Sequence, residues 1–212
     1  VDLQTGKVVF SHLLHCSLNR RLHHSNVATA NIVWREGDAF PGMLYTDDQE
    51  IIRATEETYS LYYRSFGRQG HDGNGSLMRA VNHANVSGCP NARARNYTIY
   101  TCTGVVGDDI IGHEWTHNYT SSMNDLLSTY ESGALQEALA DIFGESIDLL
   151  NDRGLDDNDQ QVRNGCFSDN YRWSIAEDAV AIDTILRDLW APNCKTDPER
   201  RYSSLYPCIT PS

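Results

Sequence analysis

The run Ile110-Ile111-Gly112-His113-Glu114-Trp115-Thr116-His117 contains the pattern H-E-x-x-H. Residues four apart on a helix lie on one face, one turn above each other. His113 and His117 are therefore expected to aim two imidazoles at a single ion. Glu114, next to the first of them, is placed to take a proton from a water at that ion. The residue types suit the chemistry, because neutral imidazole is a good zinc ligand and a carboxylate is a competent base.

A second helix is predicted downstream. Within Glu131-Ser132-Gly133-Ala134-Leu135-Gln136-Glu137-Ala138-Leu139-Ala140-Asp141, the residues Leu135, Ala138 and Leu139, continued by Ile142 and Phe143, recur at helical spacing. That stripe is expected to be the packed face. Glu137 and Asp141, four apart on the other side, read as a third metal ligand and as the carboxylate that orients a ligand histidine through its second ring nitrogen.

His113-Glu114-Trp115-Thr116-His117 followed by Glu131-Ser132-Gly133-Ala134-Leu135-Gln136-Glu137 resembles the thermolysin-like (gluzincin) family of zinc metallopeptidases, with matching spacing between the two helices. Upstream, Ser60 to Ala92, with His71-Asp72-Gly73-Asn74 and Cys89-Pro90-Asn91-Ala92, resembles the family's helix, its DGN turn and the edge strand that holds peptides. Trp173-Ser174-Ile175-Ala176-Glu177-Asp178 resembles its calcium-loop segment. The resemblance runs from Arg35 to about Tyr206. It implies an α+β fold, an N-terminal β region followed by two zinc helices. His113, His117 and Glu137 would bind Zn²⁺ and Glu114 would act as general base. Asp141 would orient His113, and Gln136 His117. Asn91 would offer its amide and Ala92 its carbonyl to an extended substrate, and Arg187 would stand beside the primed-side pocket. Asp109, Asp148 and Glu177 match three carboxylates of a calcium site whose other positions fall on Arg172 and Ser174.

The 212 residues carry a net charge of −12. An acidic chain of this kind is a poor partner for nucleic acid or an anionic membrane, both of which favour a basic face. No segment has the length of a membrane span. Six cysteines, none in a C-x-x-C pair, suggest disulfides and an oxidising compartment. Cys89 is expected to pair with Cys102, and Cys166 with Cys194 or Cys208. Sequons at Asn74, Asn85, Asn96 and Asn118 add to the expectation of a secreted glycoprotein. The chain starts at Val1 with no apolar leader and its first methionine is Met43, so Val1 is expected to be a cleavage or cloning boundary rather than a translation start.

Residues 1–24 read as a remnant of a pro-region with a linker, because Asp2-Leu3-Gln4-Thr5-Gly6-Lys7-Val8 resembles the end of that region in thermolysin-like precursors; Val1 to Phe10 is expected to form a hairpin. Residues 25–212 read as the peptidase domain. His12, His15, His23 and His24 are expected to be ordinary surface or loop histidines. Ala28 to Trp34 reads as a β run and Arg35 to Gly42 as a loop. Thr46-Asp47-Asp48-Gln49 reads as a capping box opening a helix to about Phe66, stopped by Gly67. Its packed face is expected to be Ile51, Ile52, Thr55, Tyr59, Tyr62, Tyr63 and Phe66. Leu77 to Val86 and Tyr97 to Thr101 read as strands. Asp156-Asp157-Asn158-Asp159 is an acidic loop.

Against the family pattern, no G-G-V-H-type motif and no counterpart of the C-terminal helical lobe occur in the 212 residues, and the family's tyrosine falls on Ser128, with Tyr130 two residues on. Such groups stabilise an oxyanion, and losing one donor costs about 100- to 1000-fold in rate. Two functions therefore fit: a secreted zinc metalloendopeptidase acting on peptides or proteins, or a zinc-stabilised binding module. In either, a companion chain is one way to complete the cleft.

Overall fold

Leu22, Met78, Ala80, Val81 and Ile99 are all 4% exposed or less, and the three strands that carry them lie side by side in the middle of one sheet. In the computed structural model, which describes residues 18–42, 46–124, 129–151, 166, 171–182 and 185–195, β1 (Arg20–His24) pairs parallel with β3 (Met78–Asn82), Leu22 opposite Ala80. β2 (Ile32–Arg35) runs antiparallel on the outer side of β1. β5 (Thr98–Thr101) is parallel to β3, and β4 (Ala92–Arg95) is antiparallel to β5. The order β2-β1-β3-β5-β4 leaves β4 at one edge.

Helix α1 (Thr46–Phe66) packs across this sheet. Ile51, Ile52, Thr55, Tyr59 and Tyr62 are buried as predicted and Tyr63 packs against the core, but Phe66 is 60% exposed. Its ring touches Tyr62 and Phe143 and leaves the rest to solvent. Gly67 stops the helix at φ +66°, a region open to glycine, with its amide on the Tyr63 carbonyl at 2.8 Å. Gln49 gives its amide nitrogen to the Pro41 carbonyl at 2.6 Å.

Helix α2 (Asp108–Met123) is buried on nearly every side, and its rotation is fixed by three contacts to α1. Tyr119 stacks on Tyr62 with ring centroids 3.8 Å apart. The Tyr62 hydroxyl reaches Thr116 Oγ1 at 3.1 Å, and the Trp115 indole N–H donates to Thr55 Oγ1 at 3.0 Å. Turning Trp115, Thr116 and Tyr119 to the core leaves His113, Glu114 and His117 for the opposite side.

Helix α3 (Tyr130–Asn151) corrects the predicted packing face. Leu135 and Ile142 are 51% and 46% exposed, Ala138 is exposed, and only Phe143 packs against the core. The buried face is Gly133, Gln136, Ala140, Asp141, Gly144, Glu145, Ile147 and Asp148. Close backbone approach is the cause. A methyl on Gly112 would sit 2.6 Å from Ile147 Cδ1 and 3.1 Å from Gly144 Cα, and one on Gly144 would overlap the Asp109 carbonyl. Large apolar side chains cannot enter such a contact, so the small and polar face turns inward.

Other expectations shift in detail. The Ala28–Trp34 run splits into a 3₁₀ turn (Thr29–Asn31) and β2, and the strand predicted to Val86 ends at Asn82. His23 and His24 lie on β1 rather than in a loop, with His23 1% exposed, so Arg20–His24, within the predicted 1–24 segment, is part of the sheet. A two-stranded pair, β6 (Ser174–Ile175) and β7 (Arg187–Asp188), closes the far side. The disulfides Cys89–Cys102 and Cys166–Cys194 form. Asn74, Asn85 and Asn96 are exposed whereas Asn118 is 3% exposed. Among the described residues no helix is long and apolar enough to cross a membrane. The Val1–Phe10 hairpin, His12, His15, Ser128, the Asp156–Asp159 loop and Cys208 lie outside the described residues.

Candidate metal centre and cleft

One helical turn of α2 brings His113 Nε2 within 3.0 Å of His117 Nε2. Glu137 of α3 completes the group: its two carboxylate oxygens lie 3.4 Å from His113 Nε2 and 3.5 Å from His117 Nε2. Ligands about 2.0–2.1 Å from one zinc ion at angles of roughly 90–115° stand about 2.9–3.5 Å apart. Two imidazoles and one carboxylate with that spacing fit Zn²⁺ in donor type and in size.

His113 Nδ1 lies 2.8 Å from Asp141 Oδ1. With Nδ1–H donating there, neutral His113 keeps its Nε2 lone pair for an ion. Arg187 in turn grips Asp141 with Nε at 2.7 Å and Nη2 at 2.5 Å. Burial acts to lower the His113 pKa, but hydrogen bonds to Asp141 and Glu137 more than offset it and raise it to about 9. Burial acts to raise the Asp141 pKa, and His113 and Arg187 outweigh it and hold the group below its ordinary value. Hydrogen bonds from His113 and His117 hold Glu137 far below the usual carboxylate range. Glu114 goes the other way. It is 7% exposed, and burial raises its pKa against the pull of the two histidines and the Ala94 amide.

These groups face a cleft of about 850 Å³, lined also by Asn91, by Ala92 and Ala94 of the β4 edge and by Arg187. The Cys89–Cys102 disulfide ties the approach to β4 to the end of β5, and the Asn91 carbonyl accepts the Cys102 amide at 3.0 Å. The Asn91 side chain is exposed, and its amide nitrogen is 3.5 Å from the Ser87 carbonyl. Gln136 is buried and lines the same cleft. Arg187 borders the cleft with its guanidinium on Asp141. Tyr130 is 83% exposed.

The expected calcium carboxylates are only partly gathered. Asp148 and Glu177 meet with Glu145, one oxygen of each within 4.8 Å of the others. Asp109 stands outside that group; its oxygens accept the Ile110 amide at 2.6 Å and the Ala176 amide at 2.5 Å. Burial, then the charge of Asp108, raises its pKa. Glu145 was missed, although its position three before Asp148 on α3 puts both on one helical face.

No family model matches the chain. Among curated proteins it is 43% identical over 93 residues to a zinc metalloproteinase of Renibacterium salmoninarum, covering 40% of this chain and 17% of that protein. It is 28% identical over 197 residues to the thermostable neutral protease NprT of Geobacillus stearothermophilus, covering 81% of this chain and 32% of that one. Thermolysin of Alicyclobacillus acidocaldarius matches at 27% over the same length and with the same coverage. The chain thus spans about a third or less of the length of these relatives. Among solved structures, the precursor of protealysin, a metalloproteinase from Serratia proteamaculans, superposes with a TM-score of 0.65 at 21% identity, covering 82% of this chain and 54% of that one; this likeness speaks to the fold. The H-E-x-x-H helix and the glutamate helix beside it thus occur in a chain that is similar in sequence to thermolysin-like zinc metallopeptidases and shares the α+β fold of a protealysin precursor.

Proposed function

We propose that the chain is the catalytic part of a secreted zinc metalloendopeptidase, with His113, His117 and Glu137 as zinc ligands and Glu114 as general base. One observation supports this most: the ligand atoms of those three residues, 3.0–3.5 Å apart, lie in one cleft with the buried Glu114 and the β4 edge. Zn²⁺, when bound, would lower the pKa of a water and polarise the scissile carbonyl. Glu114 would act as general base toward a water in the cleft and pass the proton to the leaving amine. Its burial keeps the carboxylate basic enough to accept the proton. Asp141 holds His113 in the tautomer that presents Nε2, Arg187 holds Asp141, and Gln136 supports His117.

An extended peptide would lie along β4. The unpaired strand edge offers main-chain hydrogen bonds that do not depend on substrate sequence, with the Ala92 carbonyl and the Asn91 amide as contacts. Arg187 would border the primed side. The Glu137 side chain is 61% exposed, which leaves room for a companion chain to complete the cleft wall beside it. Glu145, Asp148, Glu177 and Asp109 would form or flank a calcium site, since hard oxygen ligands suit that ion. Secretion fits the two disulfides and the exposed sequons, and similarity to an extracellular elastase of Staphylococcus epidermidis agrees with it.

The test is hydrolysis of an unstructured protein by zinc-loaded wild type and Glu114→Gln. A metal-dependent rate that falls in the variant by about 10²- to 10⁴-fold, with zinc content unchanged, supports the peptidase. Equal background rates would leave a zinc-stabilised binding module.

A further inference from the structure

We propose a second divalent-metal site, of zinc type, formed by His24, Asp48 and His83 and separate from the cleft. Parallel pairing of β1 with β3 sets His24 opposite Asn82, so His83, the next residue, emerges beside His24. Helix α1 begins at the same end of the sheet and carries Asp48 in its first turn. The site thus lies at the carboxyl ends of parallel strands, where open sheets commonly bind ligands.

His24 Nε2 is 3.0 and 2.9 Å from the two Asp48 oxygens, and one ligand atom from each of His24, Asp48 and His83 lies within 4.8 Å of the other two. The His24 and His83 rings meet edge-to-face with centroids 4.7 Å apart at 70°. The His113 and His117 rings meet in the same way, at 4.6 Å and 84°. Among the described residues these are the two groups that join two histidines to a carboxylate.

The surroundings match those of a metal site. Asp48 is 4% exposed and accepts the Asn82 amide at 2.8 Å, which steadies the carboxylate. His83 Nδ1 lies 2.9 Å from the Thr103 hydroxyl, and Nε2 faces the same Asn82 amide nitrogen at 3.4 Å. With Nδ1–H donating to Thr103, Nε2 carries the lone pair; an outer partner that fixes the tautomer is usual for a ligand imidazole. His83 adopts φ +53°, sparsely populated for a residue with a side chain, and its own amide is held by Asn82 Oδ1 at 2.7 Å. Thr103 and Asn82 thus hold His83 with its ring against His24, so the three donors are gathered before any ion arrives.

Two imidazoles and one carboxylate favour zinc over calcium or magnesium, which prefer oxygen ligands. The His24 side chain is 28% exposed, which provides an entry path. A bound ion would tie the ends of β1 and β3 to the start of α1, as a staple on the N-terminal half of the sheet.

The test uses the full chain with His117→Ala, which disables the cleft group, and Zn²⁺ alone against a competing chelator. One retained equivalent of zinc is expected. Adding His83→Asn, chosen because asparagine tolerates the left-handed backbone, or Asp48→Asn, should weaken that equivalent by more than about 100-fold, the upper end of what loss of an outer partner costs. Zinc should raise the melting temperature of His117→Ala and not of the double variants, whose circular dichroism should match the parent. A His117→Ala chain that holds no zinc, or double variants that hold it as tightly, would overturn the site. Because the measurement is made with the cleft group disabled, its outcome is independent of whether the chain is a peptidase.

Discussion

Replacing Asp141 by asparagine removes one charge from a group that serves two partners at once. Oδ1 lies 2.8 Å from His113 Nδ1, and the two oxygens together receive Nε and Nη2 of Arg187 at 2.7 and 2.5 Å. Asparagine has one acceptor oxygen and one NH₂ donor, so it cannot serve both partners. If its oxygen faces His113, the NH₂ meets the Arg187 fork; if the NH₂ faces His113, it forces the proton to Nε2, the atom proposed to bind zinc. Loss of such an outer carboxylate costs about 10- to 100-fold in metal affinity, or about 1.4–2.7 kcal/mol. With Asp141 only 5% exposed and a half-buried arginine left with half a partner, the upper part of that range is expected. Competitive zinc titration of wild type and Asp141→Asn, both carrying His83→Asn so that only the cleft group is read, measures it. Affinity within about twofold of the parent would refute the role given to Asp141.

Burial holds the Glu114 pKa above the 4.5 of an ordinary glutamate, so the base is lost as pH falls through a value above 4.5. The acid limb of kcat/KM should lie there, and a limb at or below 4.5 would contradict it. His113 is raised to about 9, so a proton must leave Nε2 before zinc binds at neutral pH. Zinc affinity at the cleft should therefore rise about tenfold per pH unit between roughly 7 and 9; a flat profile would show that no such proton is displaced. Gly144→Ala gains up to about 1 kcal/mol of helix propensity, but its methyl meets the Asp109 carbonyl and stands 3.1 Å from the His113 amide. Overpacking of about 1–3 kcal/mol or more should win, seen as a lower urea midpoint; an unchanged or higher midpoint would mean that α2 and α3 are not in close contact.

The two helices of the candidate metal centre could be read from the chain because each requirement is local. The i, i+4 spacing of His113 and His117 fixes their common face wherever the helix lies, and Glu137 and Asp141 follow the same rule one helix later. The packing of α3 could not be read in this way. Counting apolar residues selects Leu135 and Ile142, whereas the Gly112–Gly144 approach selects small and polar ones. Ala92-Arg93-Ala94-Arg95 does alternate, but its apolar members are small alanines that are only half-buried and alanine is a weak strand former, so only the resemblance pointed to it. Residues joined by sheet pairing rather than by spacing, such as His24 and His83, have no sequence signal at all until β1 and β3 are known to be neighbours.

Diffraction from zinc-loaded crystals, with anomalous data at the zinc edge, tests the cleft most directly. The account predicts an anomalous peak about 2.0–2.2 Å from His113 Nε2, His117 Nε2 and a Glu137 oxygen. Crystals with zinc in excess and no peak among those three atoms would contradict it.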